Sequence, residues 1–230
     1  MIQWVVEQAE KAQSVSNVIV ATDDERIFEA VKKFGGTAVM TSRDHASGTD
    51  RVAEVAKAQD CEIVVNVQGD EPLIPPENID LIVPPLLEDA SLNVSTLSIR
   101  ITAVEEIADP NVCKVVMDHR GFALYFSRAP IPFDRDGWTQ DLKEGESLWP
   151  KGSPMRAYKH IGLYAYRKDF LMAFSRLPAS GLEAIEKLEQ LRILENGTPI
   201  RVVETDKDSI GVDRKEDLAA VEKALSQISY

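Results

Sequence analysis

Val64-Val65-Asn66-Val67-Gln68-Gly69-Asp70-Glu71-Pro72-Leu73-Ile74 is an apolar run that stops abruptly at a glycine and two carboxylates. Such a run reads as a buried strand, and open α/β sheets place their ligands at the carboxyl ends of their strands. Acidic oxygens delivered there suit a hard cation. Mg²⁺ takes one or two protein carboxylates and leaves the rest of its shell to substrate phosphates and water. The stretch therefore predicts a site for a metal ion and a phosphate, with Asp70 as ligand and Gly69 letting a ligand approach the backbone.

Outward from this run, strands and helices alternate. Ile2, Val5, Val6, Ala9 and Ala12 recur at helical spacing, Val18 to Ala21 reads as a short strand, and Asp24 to Phe34 as a helix stopped by Gly35-Gly36. Thr37 to Thr41 is a second strand, Thr49 is placed to cap a helix from Asp50 to Ala58, and Ile63 to Val67 is the next strand. This rhythm predicts an α/β fold with a largely parallel sheet covered by helices on both faces. Further on, Lys114 to Met117 and Phe122 to Phe126 flank the turn Asp118-His119-Arg120-Gly121 and predict an antiparallel hairpin. Residues 129 to 157 read as a long functional loop. Then come a strand at His160 to Tyr166, helices at Lys168 to Arg176 and Gly181 to Asn196, a strand at Ile200 to Glu204 and a closing helix from Lys215.

Composition narrows the function classes. With 230 residues, 44% of them hydrophobic and 28% charged, the chain can bury a sizeable core as one domain or a domain with a lobe. A net charge of -12 argues against nucleic-acid binding, which needs clustered Lys and Arg. Cys61 and Cys113 are too few for a disulfide scaffold, and no segment reads as a membrane span or signal peptide. A cytoplasmic protein without membrane insertion is expected.

Four further features can carry chemistry. Asp213 stands just ahead of the closing helix, either as its N-cap or as a second carboxylate for the metal. Arg128 ends a strand and can fork onto a carboxylate or phosphate, or make an ordinary surface ion pair. His160 and Tyr164 lie four apart on a strand and share a face. In the helix expected over 181–196, Leu182, Ile185, Leu188, Leu191 and Leu194 make a buried stripe, while Glu186, Glu189 and Gln190 share another face, solvated or presented to sugar hydroxyls.

Val20-Ala21-Thr22-Asp23-Asp24, Met40-Thr41-Ser42, Ser47-Gly48-Thr49-Asp50-Arg51, Asn66 to Pro72, Ala123-Leu124-Tyr125-Phe126-Ser127-Arg128, His160-Ile161-Gly162, Leu188-Glu189-Gln190-Leu191-Arg192 and Gly211-Val212-Asp213 occur in this order along nearly the whole chain. Together they resemble one family, the 3-deoxy-manno-octulosonate (Kdo) cytidylyltransferases. The resemblance implies a nucleotidyltransferase fold of Rossmann-like, GT-A-like type: a three-layer sandwich with a mixed, mainly parallel sheet. Residues from about 112 to 165 would form a smaller lobe for dimerisation and sugar binding. It implies that CTP and Kdo react to give CMP-Kdo and pyrophosphate for lipopolysaccharide biosynthesis, with Mg²⁺ required and a homodimer as the assembly. Asp70 and Asp213 become the metal ligands, and with Arg128 the catalytic set. Gln68, Arg128, His160, Tyr164, Glu189 and Gln190 become the sugar site, while Arg43, Ser47, Gly48, Thr49, Asp50 and Arg51 lie against the cytidine.

The family pattern also places a strand and a basic, glycine-containing triphosphate loop of about 30 residues ahead of the helix that opens this sequence. Without that unit, little or no turnover is expected. The alternatives are a shortened or inactive paralogue that binds CMP-sugar or pairs with a full-length subunit, and a GT-A glycosyltransferase, which would need an activated sugar and an acceptor.

Overall fold

The computed structural model describes residues 1–45, 47–135, 157–209, 211–212 and 221. Its elements, in chain order, are α1 (Ile2–Ala9), β1 (Val20–Thr22), α2 (Glu25–Lys33), β2 (Ala38–Met40), α3 (Gly48–Lys57), β3 (Ile63–Asn66), α4 (Pro76–Ile82), α5 (Pro84–Glu88) and β4 (Val94–Arg100). They continue with α6 (Val104–Ala108), β5 (Lys114–Met117), β6 (Ala123–Ser127), β7 (Tyr158–Arg167), α7 (Lys168–Phe174), α8 (Gly181–Glu186), α9 (Gln190–Glu195) and β8 (Ile200–Thr205). The closing helix expected from Lys215, Asp213 ahead of it, and most of the long loop lie outside the described residues.

The expected α/β architecture holds, with one refinement in the sheet. β1 and β2 pair in parallel as a small sheet of their own, and the main sheet runs β6-β5-β7-β4-β8 with β3 also on β7. β3, β4, β5 and β8 share one direction, but β7 runs against them and β6 against β5. Because β7 occupies the centre, most ladders are antiparallel although most strands run the same way. An apolar cleft of about 370 Å³ separates β1 from β3, lined among others by Val5, Val6, Val20, Val52 and Val65.

Local chemistry sets the element ends. Asp24 caps α2, accepting the Arg26 N–H at 2.8 Å, and Gly35 ends that helix at φ +86. In the β5–β6 turn Gly121 sits at φ +79, and a Cβ there would lie 2.7 Å from the Arg201 guanidinium. The cap of α3 differs from expectation. Ser47, not Thr49, takes that place in a capping box with Asp50, which frees Thr49 for the interior.

The helix expected over 181–196 is broken, and its reading is corrected. Lys187 adopts the left-handed conformation at φ 56, so α8 ends at Glu186 and the chain restarts as α9 on a new axis. A single apolar stripe cannot cross that break: Leu188 and Leu191 are buried, whereas Ile185 is 80% exposed. Glu186, Glu189 and Gln190 accordingly do not share a face. Glu186 turns to β6, and Gln190 is buried against β5.

Left-handed backbone costs a residue with a Cβ about 1–2 kcal/mol. Lys187→Gly is therefore expected to raise unfolding stability by about 1 kcal/mol and Lys187→Val to lower it, read as opposite shifts of the urea midpoint.

Candidate active site

The site grows from Thr49, buried at the first turn of α3. Its hydroxyl lies 3.4 Å from Asn66 Nδ2 at the end of β3, and it sits near enough to the Tyr166 hydroxyl of β7 and the Glu189 carboxyl ahead of α9 to favour the ionised form of each. Asn66 pairs in register with Tyr164, whose ring lies 5.4 Å from that of His160. The His160 backbone N–H donates to the Cys113 carbonyl at 2.8 Å, and Cys113 Sγ receives Gln190 Nε2 at 3.6 Å. Gln190 follows Glu189, which returns to Thr49. A closed ring of contacts thus brings together Thr49, Tyr164, His160, Gln190 and Glu189, five residues predicted from sequence.

Burial sets the chemistry of this ring. The Thr96 hydroxyl has one proton and gives it to the Leu163 carbonyl at 2.7 Å, so at 2.9 Å it accepts from His160 Nε2–H. Nδ1 of His160 is then an acceptor. Burial drops the imidazole to about 3, so it stays neutral. Burial also pushes the Cys113 thiol up to about 12, which disqualifies it as a nucleophile. The Glu189 carboxyl is raised by burial, with Asp50 and Glu183 adding to the effect against Thr49 and Arg192. Its Oε1 is buried without a hydrogen-bond partner among the described residues, an acceptor held ready in a site otherwise satisfied.

The residues expected against the cytidine build a loop. Arg51 donates to Ser42 O at 2.9 Å and Thr41 Oγ1 at 3.1 Å and pairs with Asp23 at 2.8 Å. Glu54, which sequence reasoning passed over, accepts the Ser42 N–H at 3.0 Å and bonds His45 Nε2. Ser47 and Asp50 spend their side chains on each other's backbone, while Arg43 and Gly48 remain exposed.

At the carboxyl end of β3 the chain turns through Gln68 to Glu71, with Glu71 N–H donating to Gln68 O at 3.3 Å. Val212 N–H donates to the Asp70 carbonyl at 2.9 Å, which carries the 211–212 segment to Asp70. Glu71, the second carboxylate of that stretch, was given no role of its own. It bonds the Ser209 hydroxyl, and burial raises its pKa, Asp70 and Asp208 adding to the rise. Among the described residues no three of His, Cys, Asp or Glu converge as a metal cage. Hard carboxylate oxygens at one strand end fit Mg²⁺, which needs few protein ligands when phosphates supply the rest.

Arg128 is anchored rather than extended. Its Nε and both terminal nitrogens donate to the carbonyls of Glu186 at 2.8 Å, Pro110 at 3.1 Å and Lys187 at 3.4 Å. Of the five guanidinium N–H groups, three are engaged and two remain.

The sequence profile described as cytidylyltransferase matches residues 1–208. A 3-deoxy-manno-octulosonate cytidylyltransferase of Geobacter sulfurreducens is 54% identical over 228 residues, covering 99% of this chain and 88% of the relative. The chain belongs to the 3-deoxy-manno-octulosonate cytidylyltransferase family. A member from Solibacter usitatus is 52% identical over 97% of the chain and 83% of its own length. A solved structure of CMP:2-keto-3-deoxy-manno-octonic acid synthetase complexed with CTP superposes with a TM-score of 0.87 at 41% identity, covering 98% of this chain and 87% of that one. The fold alone extends to a 4-diphosphocytidyl-2C-methyl-D-erythritol synthase of Anaerococcus prevotii, at TM-score 0.59 and 13% identity. These matches lend the inactive-paralogue and glycosyltransferase alternatives no support.

His160 gives the buried polar ring a pH signature. Its folded pKa lies below the unfolded value near 6.5, so its stabilising share is complete above about pH 6.5 and is lost as pH falls toward 3. In a calorimetric pH series from 7 to 5, the melting temperature of the chain should fall more steeply than that of His160→Gln.

Proposed function

We propose that this chain activates Kdo with CTP, giving CMP-Kdo and pyrophosphate. The anomeric hydroxyl of the sugar attacks the α-phosphorus: a phosphorus–oxygen bond forms to the sugar, the α–β phosphoanhydride breaks, and the hydroxyl proton is released. The observation that carries the reading is the bond from Val212 N–H to the Asp70 carbonyl, which brings the 211–212 segment to the acidic turn after β3. The relative solved with CTP supports it.

In this reading Asp70 and Asp213 hold Mg²⁺, which when bound neutralises phosphate charge and polarises the phosphorus. The protein's own task is placement, since phosphoryl transfer asks mainly for positioning and electrostatic support. His160 Nδ1 and Glu189 Oε1 accept from sugar hydroxyls, and Gln68, Tyr164 and Gln190 complete that wall. The two remaining N–H groups of Arg128 meet the sugar carboxylate, whose planar oxygens suit a guanidinium. The loop from Arg43 to Arg51, braced by Asp23 and Glu54, takes the cytidine.

The reaction feeds lipopolysaccharide biosynthesis in the cytoplasm, and no helix among the described residues is long and apolar enough to cross a membrane. The β5–β6 hairpin, an extension of the main sheet and not a lobe apart from it, serves dimerisation and, with β7, the sugar. Leu124 on β6, 63% exposed, marks an apolar spot on that hairpin.

Two outcomes test the reading. Pyrophosphate release should require CTP, Kdo and Mg²⁺ together, and Asp70→Asn should cut the rate on the order of a hundredfold or more while leaving the circular dichroism spectrum intact. Release without Kdo, or undiminished in Asp70→Asn, contradicts it. Leu124→Asp should shift a dimer toward monomer in sedimentation velocity.

A further inference from the structure

Lys114 at the start of β5 is wholly buried, yet it has no carboxylate partner among the ion pairs of the described residues. Its ammonium instead donates to three backbone carbonyls: Val112 and Arg128 at 2.6 Å and Asp109 at 2.8 Å. An ammonium has three protons and no acceptor, so its bonding is complete. A buried cation carries a desolvation cost before such bonds offset it, and an apolar side chain would fill the same space without that cost. What the charge holds in place therefore matters.

It holds Arg128 from one side while Glu186 holds it from the other. Glu186 Oε2 accepts the Arg128 backbone N–H at 2.9 Å, and its Oε1 accepts the Ser127 hydroxyl at 2.6 Å. The peptide units flanking Arg128 are thus gripped at the N–H by an anion and at the C=O by a cation. The guanidinium is fixed through the same two residues. Its Nε bonds the Glu186 carbonyl, and one terminal nitrogen bonds the Pro110 carbonyl, in the turn whose Asp109 and Val112 carbonyls Lys114 also ties down.

We propose that Lys114 and Glu186 act as positioning residues, a two-sided clamp that aims the free donors of Arg128 at the carboxylate of a 2-keto-acid sugar. This rests on the assignment of Arg128 to that carboxylate. Preorganising the guanidinium removes the rotamer entropy a long side chain otherwise loses on binding.

The test is calorimetry on the 230-residue chain with two probes, CMP-Kdo, which carries the carboxylate, and CMP, which does not. Lys114→Met should weaken CMP-Kdo about tenfold and Glu186→Gln about threefold, with CMP held within about twofold in both. In an Arg128→Ala background neither substitution should weaken CMP-Kdo further, because the group they aim is gone. Equal loss of CMP and CMP-Kdo would show a merely structural role and overturn the clamp. So would an undiminished effect of Lys114→Met in the Arg128→Ala background. If Lys114→Met does not fold by circular dichroism, the Glu186→Gln and Arg128→Ala cycle decides the matter alone. Should Arg128→Ala by itself leave CMP-Kdo affinity unchanged, the assignment of Arg128 fails and takes the clamp with it. A wild-type chain that binds CMP-Kdo no better than CMP refutes the sugar-site reading instead.

Discussion

β7 is hydrogen-bonded along both edges, to β4 on one and to β3 and β5 on the other, and a different hydrophobic core packs on each face. Tyr164 and Tyr166 enter one core with Phe126, Phe174 and Leu191, while Ile161, Leu163 and Ala165 enter the other with Ile79, Leu86 and Leu97. The irregularity opposite Thr96/Leu97 shifts the pairing from Tyr164 to Ile161 and leaves Gly162 and Leu163 out of register. It also brings the Leu163 carbonyl and the His160 ring to one hydroxyl, that of Thr96, which fixes the imidazole tautomer. The strand that organises the packing thereby also orients the acceptor of the site.

Polar groups in this interior are satisfied locally, and each satisfaction has a positional consequence. Ser95 bonds the Ile82 carbonyl and fastens α4 to β4, and Asn78 ties α4 to β8 through Thr205 at 2.7 Å. Arg192 pairs with Glu183 at 2.5 Å across the break between α8 and α9 and lies 5.0 Å over the Phe174 ring. That bridge, largely shielded from water, stabilises the bent arrangement that separates Glu186 from Glu189 and sends them to different tasks. Glu189 Oε1 departs from the pattern, a buried acceptor without a partner among the described residues.

Much of the fold could be read from the chain alone wherever periodicity and a stop signal coincided. α2 is such a case, between Asp24 and Gly35, and so is the β5–β6 hairpin around Gly121. β4 was not foreseen. Its Ser95, Thr96 and Ser98 interrupt the apolar pattern, although all three are fully buried, because their hydroxyls find acceptors inside the sheet region. The helix break at Lys187 was invisible for a related reason. Lysine is a good helix former, and the left-handed turn is held by carbonyls that reach Arg128, 58 and 59 residues away. Glu71 was given no role and Glu54 was passed over, because a carboxylate in sequence shows neither its burial nor its partners.

The sequence by itself determined the α/β class, the acidic stop after β3 and the family to which these motifs belong, because hydrophobic period and turn chemistry are local properties. Only the tertiary structure decided that His160 is neutral with Nδ1 as acceptor, that Thr49 is an interior hub and not a cap, and that Arg128 stands braced between Lys114 and Glu186. Those outcomes depend on burial and on partners distant in sequence, and neither desolvation nor a long-range hydrogen bond is written in the neighbourhood of the residue it governs.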